Sequence, residues 1–540
     1  MPEIPNFPHD LLDLHHAWHQ PSAHPGVPTR VNPAGTPGAG LEFLVFHRDY
    51  IARFHAWYDR QPFADQAAVK PWPEVPAEMR RPDLGWNAWA ADVERIIGDP
   101  SSFASADQLG TFIEEGVHNN FLHSAAATVF NEPVLGTFHS PQITQFYQLH
   151  GLVQKWWEDW EARRFVWLHG VPGAVSDVPV ATGTSPTSWY TTPENVQHLG
   201  YVGTDQRIHE LFYFIGGDGQ WHHGVPGMVS DVPVATGTSP TSWYTTPENV
   251  QHLGYVGTDQ RVHELFYFIG GDGQWHHGVP GMVSDVPVAT GTSPTSWYTT
   301  PENVQHLGYV GTDQRIHELF FFIGGDGQWH HGVPGAVSDV PVAPGTSPTS
   351  WYTTPENVQH IAYVGTDQRI HELFYFIGGD GQWHHGVPGA VSDVPVAPGT
   401  SPTSWYTTPE NVQHIAYVGT DQKIHELFYF IGGDGQWHHG VPGAVSDVPV
   451  ATGTSPTSWY TTPENVQHLG YVGTDQKVHE LFFFIGGDGR WLHGVPGAVS
   501  GVPVATGTSP TSWYTTPENV QHLGYVGTDR KIHELFFFIR

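Results

Sequence analysis

Regular alternation of apolar and polar residues runs through the C-terminal part of the chain. One unit of 54 residues contains four such stretches, SWYTT, VQHLGYVG, RIHELFYFI and QWHH, and the turn sequences TPEN, GTDQ and GGDG separate them. A period of two predicts β-strands, and the intervening Gly, Pro, Asn and Asp residues predict tight turns. Four strands in one unit are typical of a β-propeller blade.

The unit recurs seven times with near-identical sequence. The copies begin at Gly170, Gly224, Gly278, Gly332, Gly386, Gly440 and Gly494. The last copy stops before its QWHH strand, whereas Trp167, Leu168 and His169 precede the first copy in the matching position. The N-terminal strand is therefore predicted to complete the last blade, which leaves no open sheet edge in the ring. We predict a seven-bladed β-propeller over residues 163–540, closed by pairing of its N- and C-terminal strands.

Residues 1–162 are unrelated to the repeat, and their apolar residues follow the period of a helix. Pro- and Gly-rich loops separate the helical stretches. Helices are predicted within 10–19, 42–60, 85–98, 112–130 and 142–165. The chain is accordingly predicted to be a multidomain protein, with a small, mainly α-helical N-terminal domain followed by the all-β propeller.

Composition narrows the classes of partner. The formal net charge is −32, whereas nucleic acids and anionic membrane surfaces are bound by basic surfaces. The absence of cysteine excludes disulfides and thiolate metal sites. The N-terminus lacks a basic and apolar leader, and no apolar stretch is long enough to span a bilayer. We predict a soluble protein without a signal peptide, synthesised in the cytoplasm with its release left open, and with no nucleic-acid partner and no membrane insertion.

Each unit offers the side chains that a sugar site needs. A pyranose has a weakly apolar C–H face and a ring of hydroxyls, so its site combines an aromatic ring with fixed hydrogen-bond donors and acceptors. On the strand RIHELFYF, Glu210 shares a face with Ile208 and Phe212, and a carboxylate among apolar groups needs a partner. The candidate carbohydrate-binding residues are Trp189, Arg207, Glu210, Trp221, Trp243, Arg261, Glu264, Trp275, Trp297, Glu318, Trp351, Glu372, Trp405, Glu426, Trp459, Glu480, Trp513 and Glu534.

These candidates have a structural interpretation as well as a functional one. Glu210 and its equivalents either contact a ligand, or pair with Arg or His and cap backbone amides inside the blade. One Trp per blade is commonly part of the core between blades, so at least one of Trp189 and Trp221 is expected to pack there. In three later units a lysine replaces Arg207, which excludes a bidentate role at this position in every blade.

The strings PTSW, NVQHLGYVGTD and IHELFYF, followed by GGDGQW, occur throughout the repeat region. They resemble the bacterial seven-bladed fucose-binding lectins first met in Photorhabdus and, more distantly, the fungal fucose lectins. The resemblance implies a propeller with sugar sites in the clefts between neighbouring blades. It also implies that glycans and monosaccharides are the partners, that fucose or a related sugar is the ligand, and that the propeller requires no cofactor.

Histidines recur on the predicted helices of the N-terminal domain. Neutral imidazoles that face one another bind copper, zinc or iron, although a protein with 37 histidines also has some on its surface. FLVFHRDYIARF resembles the first copper motif of the tyrosinases, and VHNNFLH followed by SPQITQFYQLHGLVQKWWEDW resembles the second. This resemblance implies two copper ions and oxidation of o-diphenols. It implies that His15, His24 and His47 bind the first copper, and that His118, His123 and His150 bind the second.

The sequence also departs from the tyrosinase pattern. His118 and His123 are five residues apart where the family has four, which turns them about 100° further around a regular helix unless a π-bulge intervenes. Gly151 stands where the family has a second histidine, and His55 stands where the family has a glutamate. A degenerate domain without copper is therefore an alternative to a working dicopper centre.

Three functions are compatible with these observations. The whole protein is a multivalent carbohydrate-binding lectin, or it is a type-3 copper phenol oxidase that the propeller targets to glycans. In the third alternative, the propeller is a structural or protein-interaction ring. Glycan binding separates the first from the third, and metal analysis decides whether the N-terminal domain has copper chemistry.

Overall fold

The computed structural model describes residues 3–20, 26–27, 29–36, 38–98, 103, 106–164, 167–487 and 489–539. These form two compact units, one within residues 1–166 and the other over Trp167–Ile539. Each unit has its own hydrophobic core. Within the described residues, no helix combines the length and the apolarity needed to cross a bilayer.

The N-terminal unit is built from helices around a core rich in aromatic residues, as predicted. Phe43, Phe54, Phe146 and Trp156 are buried in this core. A period of 3.6 residues places the apolar side chains of each helix on one face. The helices are α1 His9–His19, α2 Ala39–Tyr58, α3 Trp86–Gly98, α4 Ala106–Ile113, α5 His123–Val129 and α6 Thr144–Arg164.

A π-helical segment, Glu114–Leu122, joins α4 to α5. The sequence predicted one continuous helix here, and the structure inserts a wider turn into it. Gly116 has a non-helical backbone conformation at this point. The side-chain amide of Asn120 donates hydrogen bonds to the carbonyls of Glu115 and Gly116, at 2.6 and 3.1 Å. These bonds satisfy backbone groups that the change of helical pitch exposes.

Seven antiparallel four-stranded sheets form the second unit. Within the first, the register pairs Thr191 with Val196, Val202 with Ile208 and Tyr213 with Trp221. Blades one to three are β2 Thr187–Thr191, β3 Val196–Val202, β4 Ile208–Phe214 and β5 Trp221–Gly224; β6 Thr241–Thr245, β7 Val250–Val256, β8 Val262–Phe268 and β9 Trp275–Gly278; and β10 Thr295–Thr299, β11 Val304–Val310, β12 Ile316–Phe322 and β13 Trp329–Gly332.

The later blades repeat this pattern. Blades four to six are β14 Thr349–Thr353, β15 Val358–Val364, β16 Ile370–Phe376 and β17 Trp383–Gly386; β18 Thr403–Thr407, β19 Val412–Val418, β20 Ile424–Phe430 and β21 Trp437–Gly440; and β22 Thr457–Thr461, β23 Val466–Val472, β24 Val478–Phe484 and β25 Trp491–Gly494. Blade seven is β26 Thr511–Thr515, β27 Val520–Val526, β28 Ile532–Phe538 and β1 Leu168–Gly170.

The two ends of the repeat region close the ring, which confirms the predicted strand exchange. Strand β1 pairs with β28, and Gly170 lies opposite Glu534 in the register. The innermost strands are joined as well, because a threonine hydroxyl of each blade bonds a serine hydroxyl of the next at 2.7–2.9 Å. The bond between Ser188 and Thr511, at 2.8 Å, joins blade one to blade seven.

Apolar side chains fill the space between successive blades. Trp189 and Ile208 of blade one pack against Leu253 and Tyr255 of blade two. The Trp189 indole N–H donates to Gln251 Oε1 of blade two at 3.0 Å, and the equivalent bond recurs between the other blades. Trp189 is 6% exposed. Trp189 therefore belongs to the core between blades, as expected for at least one of the two tryptophans of each repeat unit.

Candidate functional site

A cleft of about 320 Å³ lies between blade seven and blade one. One wall is the face of β28 that carries Glu534, Phe536 and Phe538. The other wall is the outer half of blade one. Its lining includes Glu518, His522, Glu534, Phe536 and Phe538 of blade seven, and Gln197, Tyr213 and Trp221 of blade one. The structure thus brings Glu534 and Trp221, two of the predicted candidates, into one cavity.

A histidine fixes the orientation of the cleft carboxylate. His522 Nδ1 donates to Glu534 Oε1 at 2.8 Å, and the same histidine–glutamate bond, at 2.8 Å, occurs in all seven blades. The His522 ring stacks on Trp513 with 4.7 Å between ring centres. The pairing inside the blade is therefore observed for Oε1. The residue also lines the cleft, and its contact with a ligand stays a prediction.

A glycine on the neighbouring strand leaves room for the second oxygen. A Cβ at Gly170 would lie 3.2 Å from Glu534 Oε2, and a Cβ at Gly224 would lie 3.2 Å from Glu210 Oε2. Such contacts are tighter than ordinary van der Waals packing, so a larger residue would displace the carboxylate. Gly224 begins a repeat unit, and its place opposite the glutamate explains why this position is glycine in every copy.

Aromatic rings form the apolar part of the cleft. Tyr213 and Trp221 lie on one wall with 5.6 Å between ring centres. Phe536 and Phe538 lie on the other wall, edge to face at 5.8 Å. Phe538 is 36% exposed, so part of its ring faces solvent. The sequence assigned Trp221 to this role and did not single out the tyrosine or the phenylalanines.

A second carboxylate, Glu518, was missed by the sequence analysis. It lies in the TPEN turn between β26 and β27 and lines the same cleft. Burial raises the pKa of Glu518, and repulsion from Glu534 raises it further, while attraction to His522 opposes the increase. Every TPEN turn contains a glutamate. This recurrence could have indicated a functional position, because a turn in solvent does not require a glutamate in particular.

Two groups of predicted residues lie outside this cleft. Trp189 and its counterparts are in the core between blades. Arg207 precedes β4 at the β3–β4 hairpin, and its guanidinium donates to the Gly227 carbonyl at 3.2 Å. Arg261 donates in the same way to Gly281. The length of β4 separates this hairpin from the aromatic end of the strand, so neither arginine is among the described residues that line the cavity.

In the helical unit, the structure gathers His118, His123 and His150. His118 Nε2 lies 3.0 Å from His150 Nε2 and 3.2 Å from His123 Nε2. The π-helical segment causes this convergence, because its i→i+5 pitch places residues five apart on one face. The spacing that departs from the tyrosinase motif is thereby compensated by backbone geometry.

A second triad consists of His15, His19 and His47. His15 and His19 lie on α1 and His47 on α2. His24, which the sequence assigned to this group, lies outside the described residues. The sequence did not assign His19 as a ligand, although its spacing of four from His15 puts both on one helix face.

The two triads are adjacent. The rings of His47 and His150 stack with 4.7 Å between their centres and 12° between their planes. A pocket of about 370 Å³ reaches both triads, and its lining includes His15, His19, His118 and Phe138. A small molecule in this pocket would contact both groups of imidazoles.

Backbone carbonyls select the tautomer of four of these histidines. Nδ1 of His15, His47, His123 and His150 donates to the carbonyls of Phe138, Phe43, Leu135 and Phe146, at 2.8–3.2 Å. A neutral imidazole that donates through Nδ1 keeps a lone pair on Nε2. Nδ1 of His118 donates instead to the side-chain oxygen of Asn119 at 2.9 Å. The Nε2 atoms of His118, His123 and His150 are therefore all acceptors, and they cannot satisfy each other by hydrogen bonds.

Burial keeps these imidazoles neutral. It lowers the pKa of His15 to about 3 and that of His19 to about 2. Burial also lowers the pKa of His47, His118 and His150 well below the usual value. Neutral imidazole is the form that binds transition metals.

Other departures from the tyrosinase motif have local causes. A Cβ at Gly151 would lie 2.6 Å from Pro71 Cγ, so packing against Pro71 excludes a second histidine after His150. His55 lies 3.7 Å from Asp59, one turn further along α2. Neither residue belongs to a triad.

Comparison with known proteins identifies the fold of the repeat region. No protein-family model and no curated protein matches this sequence. The BP39L lectin from Burkholderia pseudomallei aligns with a TM-score of 0.51 and 12% identity, over 67% of this chain and 96% of its own. The fucose-specific lectin from Aleuria aurantia aligns with a TM-score of 0.40 and 18% identity, over 60% of this chain and 99% of its own. At such low identity, the likeness to BP39L shows a common fold and nothing further.

Proposed function

We propose that the propeller is a multivalent sugar-binding lectin whose sites are the clefts between neighbouring blades. The observation that carries this proposal is the pairing of an oriented carboxylate with open aromatic rings in one cavity. Glu534 holds one oxygen toward His522 and lines a cleft that Trp221 and Phe538 also line. A sugar hydroxyl would donate to the second oxygen while a C–H face packs on a ring.

The sugar class follows from the resemblance of the repeat to fucose-binding propeller lectins. BP39L, a lectin by its name, shares the fold. The 6-methyl group of L-fucose adds apolar surface that an aromatic cleft would bury. We therefore expect L-fucose or a related neutral sugar to be the first ligand to test, and the glycans that display it to be the partners.

Isothermal titration of the full chain with methyl α-L-fucoside tests the proposal. We expect several bound sugars per chain with weak individual affinity. Replacement of Glu210 and its six counterparts by Gln should reduce the affinity at least tenfold, because a neutral amide is a weaker acceptor for hydroxyls than a carboxylate.

The matched control replaces Asp177, Asp231, Asp285, Asp339, Asp393 and Asp447 by Asn. These exposed residues lie in the loop before the first strand of their blades and do not line the cleft, so the control removes charge without touching the site. Equal affinities of the Glu and Asp variants would overturn the role of the glutamate. Absence of binding to a fucosylated glycan array would favour a structural or protein-interaction ring.

For the helical unit we propose a second function, binding of two copper ions by the two histidine triads. The observation that favours it is the convergence of Nε2 lone pairs without donors. Among the described residues, buried His47 Nε2 has no hydrogen-bond partner, and His118 Nε2 lies within 3.2 Å of the Nε2 atoms of both His123 and His150. A metal ion would satisfy these acceptors, and carbonyl-bound Nδ1 groups are the usual outer partners of metal-binding histidines.

The residues fit copper by ligand type and by arrangement. His15, His19 and His47 would hold one ion, and His118, His123 and His150 the other. Bound copper would supply activation of dioxygen and oxidation of phenols, as the tyrosinase resemblance implies. The chain itself buries the imidazoles in their neutral form, fixes their rings through backbone carbonyls, and provides a pocket beside Phe138 that a phenol ring would enter.

Metal analysis of the purified chain after reconstitution with copper tests this second function. We expect two copper ions per chain in the helical unit, and the loss of about one ion in each of His47→Ala and His150→Ala. His55→Ala is the matched control, because it removes an imidazole from the same helix without removing a ligand. Because the propeller histidines also attract copper, the difference between variants is decisive. Equal copper content in all three variants would rule out the dinuclear site.

A further inference from the structure

The cleft between blades seven and one contains two carboxylates and, on its described lining, neither lysine nor arginine. Glu518 and Glu534 line the cavity between blades seven and one. Tyr213 reaches this cavity from blade one, and burial together with the charges of Glu518 and Glu534 raises the pKa of its hydroxyl. Because all three side chains line one cavity, they surround the same volume.

The pair of glutamates recurs in every blade, whereas the tyrosine is a phenylalanine in three of them. Burial and the charge of the neighbouring Glu210-type residue raise the pKa of the turn glutamate of every blade. These turn glutamates are Glu194, Glu248, Glu302, Glu356, Glu410, Glu464 and Glu518. Two like charges in a partly buried cleft repel each other, and a positively charged ligand would relieve the repulsion.

The arginines of the β3–β4 type of hairpin do not compensate this charge. Arg207 and Arg261 lie at the β3–β4 type of hairpin, where they bind backbone carbonyls. The histidine of each cleft uses Nδ1 for the glutamate of its own blade. The formal charge of −32 adds a long-range repulsion of anions.

We infer that the clefts select sugars that carry a free amino group over neutral sugars, and reject sugar acids. This inference rests on the proposed lectin function and specifies its ligand class. The ammonium group of an aminosugar would lie between the two carboxylates while its ring packs on the aromatic wall. A uronic acid or a sialic acid would add a third negative charge to the same volume.

Titration of the full chain with a matched set of sugars tests this selectivity. The set is L-fucose, 2-amino-2-deoxy-L-fucose and L-galacturonic acid, with the corresponding D-galactose derivatives in parallel, at a pH at which the amine is protonated. We expect the aminosugar to bind about tenfold more tightly than the neutral sugar, given one charge pair near a protein surface. Binding of the acid should be undetectable.

Salt dependence gives a readout that needs no variant. Raising the ionic strength should reduce the preference for the aminosugar and leave the affinity for the neutral sugar unchanged, because only the aminosugar is held by a charge interaction.

Variants give a second test. Changing the seven turn glutamates to Gln should bring the ratio of aminosugar affinity to neutral-sugar affinity close to one, whereas the Asp177-type control should preserve this ratio. An aminosugar bound no more tightly than the neutral sugar, or an acid bound as tightly, would refute the selectivity. If none of these sugars binds, the lectin function itself is wrong.

Discussion

At the scale of single residues, each Glu210-type carboxylate serves the blade interior and the cleft at once. His198 holds Oε1 at 2.8 Å and is itself stacked on Trp189. The carboxylate is therefore positioned before any ligand arrives, and little side-chain entropy is lost on binding. The opposing Gly224 keeps space for Oε2. If the glutamate binds a sugar as proposed, this preorganisation offsets its low exposure of 5%.

The turn glutamate Glu464 should make stability depend on pH. Burial raises its pKa in the folded protein from 4.5 to about 7, so the folded state holds a proton that the unfolded state releases. The stabilisation is complete below the unfolded pKa and is lost as pH rises through 7. Glu464→Gln stays neutral and should gain stability relative to the wild type between pH 5 and pH 8, by about 1 kcal/mol after solvent screening.

Denaturant unfolding of both proteins at the two pH values measures this difference. Asp447→Asn, an exposed acid of the same blade, is the control and should show no such gain. If the free energies of unfolding of wild type and variant differ by the same amount at both pH values, Glu464 does not hold a proton in the folded protein.

At the scale of single residues, the sequence could predict residue types but not which side chains face a cavity. Trp189 and Trp221 are both tryptophans on strands of the same unit, and only the packing of the next blade puts the first in the core and leaves the second at the cleft. Near-identity of the copies gives no help, because duplication copies core and site together. The same reason explains why Glu518 was missed and why Arg207 was included.

At the scale of elements, strands, helices and ring closure followed from periodicity and from the terminal QWHH-type strand. The π-helical segment did not, because its only trace in the sequence is a spacing of five between His118 and His123. The wider turn is maintained locally by Asn120, which bonds two carbonyls of the segment. A short helical irregularity thus decides whether three imidazoles meet.

Changing the length of this segment should control the second triad. Deletion of Asn120 shortens the spacing to four, which an ordinary α-helix also aligns, so copper binding should survive. Insertion of one alanine after Asn120 gives a spacing of six, which neither helix type aligns, and should remove about one of two copper ions. Metal analysis together with circular dichroism measures both outcomes. Unchanged copper content in the insertion variant would show that the segment does not position the ligands.

The cleft between blades six and seven differs from the others in one hydrogen bond. There the Trp167 indole N–H donates to Glu480 Oε2 at 3.2 Å, so the oxygen that would receive a sugar hydroxyl is already engaged. Trp167 is 9% exposed.

We expect the cleft between blades six and seven to bind sugar weakly, which gives six rather than seven strong sites per chain. Trp167→Phe keeps an aromatic ring, removes the donor and should raise the number toward seven, as counted by calorimetry or native mass spectrometry. Seven equal sites in the wild type would contradict this.

At the scale of the whole propeller, closure holds the blades in one rigid ring. The strand exchange between β1 and β28 and the hydroxyl bonds between successive innermost strands join every blade to its neighbours. The spacing of the clefts is consequently fixed by the ring. Binding at a second cleft would require no further ordering of the protein. The conformational entropy lost in that step would therefore come from the glycan alone.

Affinity for a glycan surface should therefore depend on the density of the sugar. After one cleft is occupied, the remaining sugars are presented at an effective concentration far above that in solution, which should strengthen binding by about 10²–10⁴-fold over the free monosaccharide. Biosensor measurements on surfaces coated with fucosylated glycan at graded density test this, with free methyl α-L-fucoside as competitor. On the sparsest surface the apparent affinity should fall to that of a single cleft, because the ring no longer spans two sugars. The Asp177-type control should follow the wild-type density curve, whereas the Gln variants of Glu210 and its counterparts should lose retention at all densities. Retention that is independent of density would mean that the chain binds through one site, and the multivalent arrangement would then have no part in recognition.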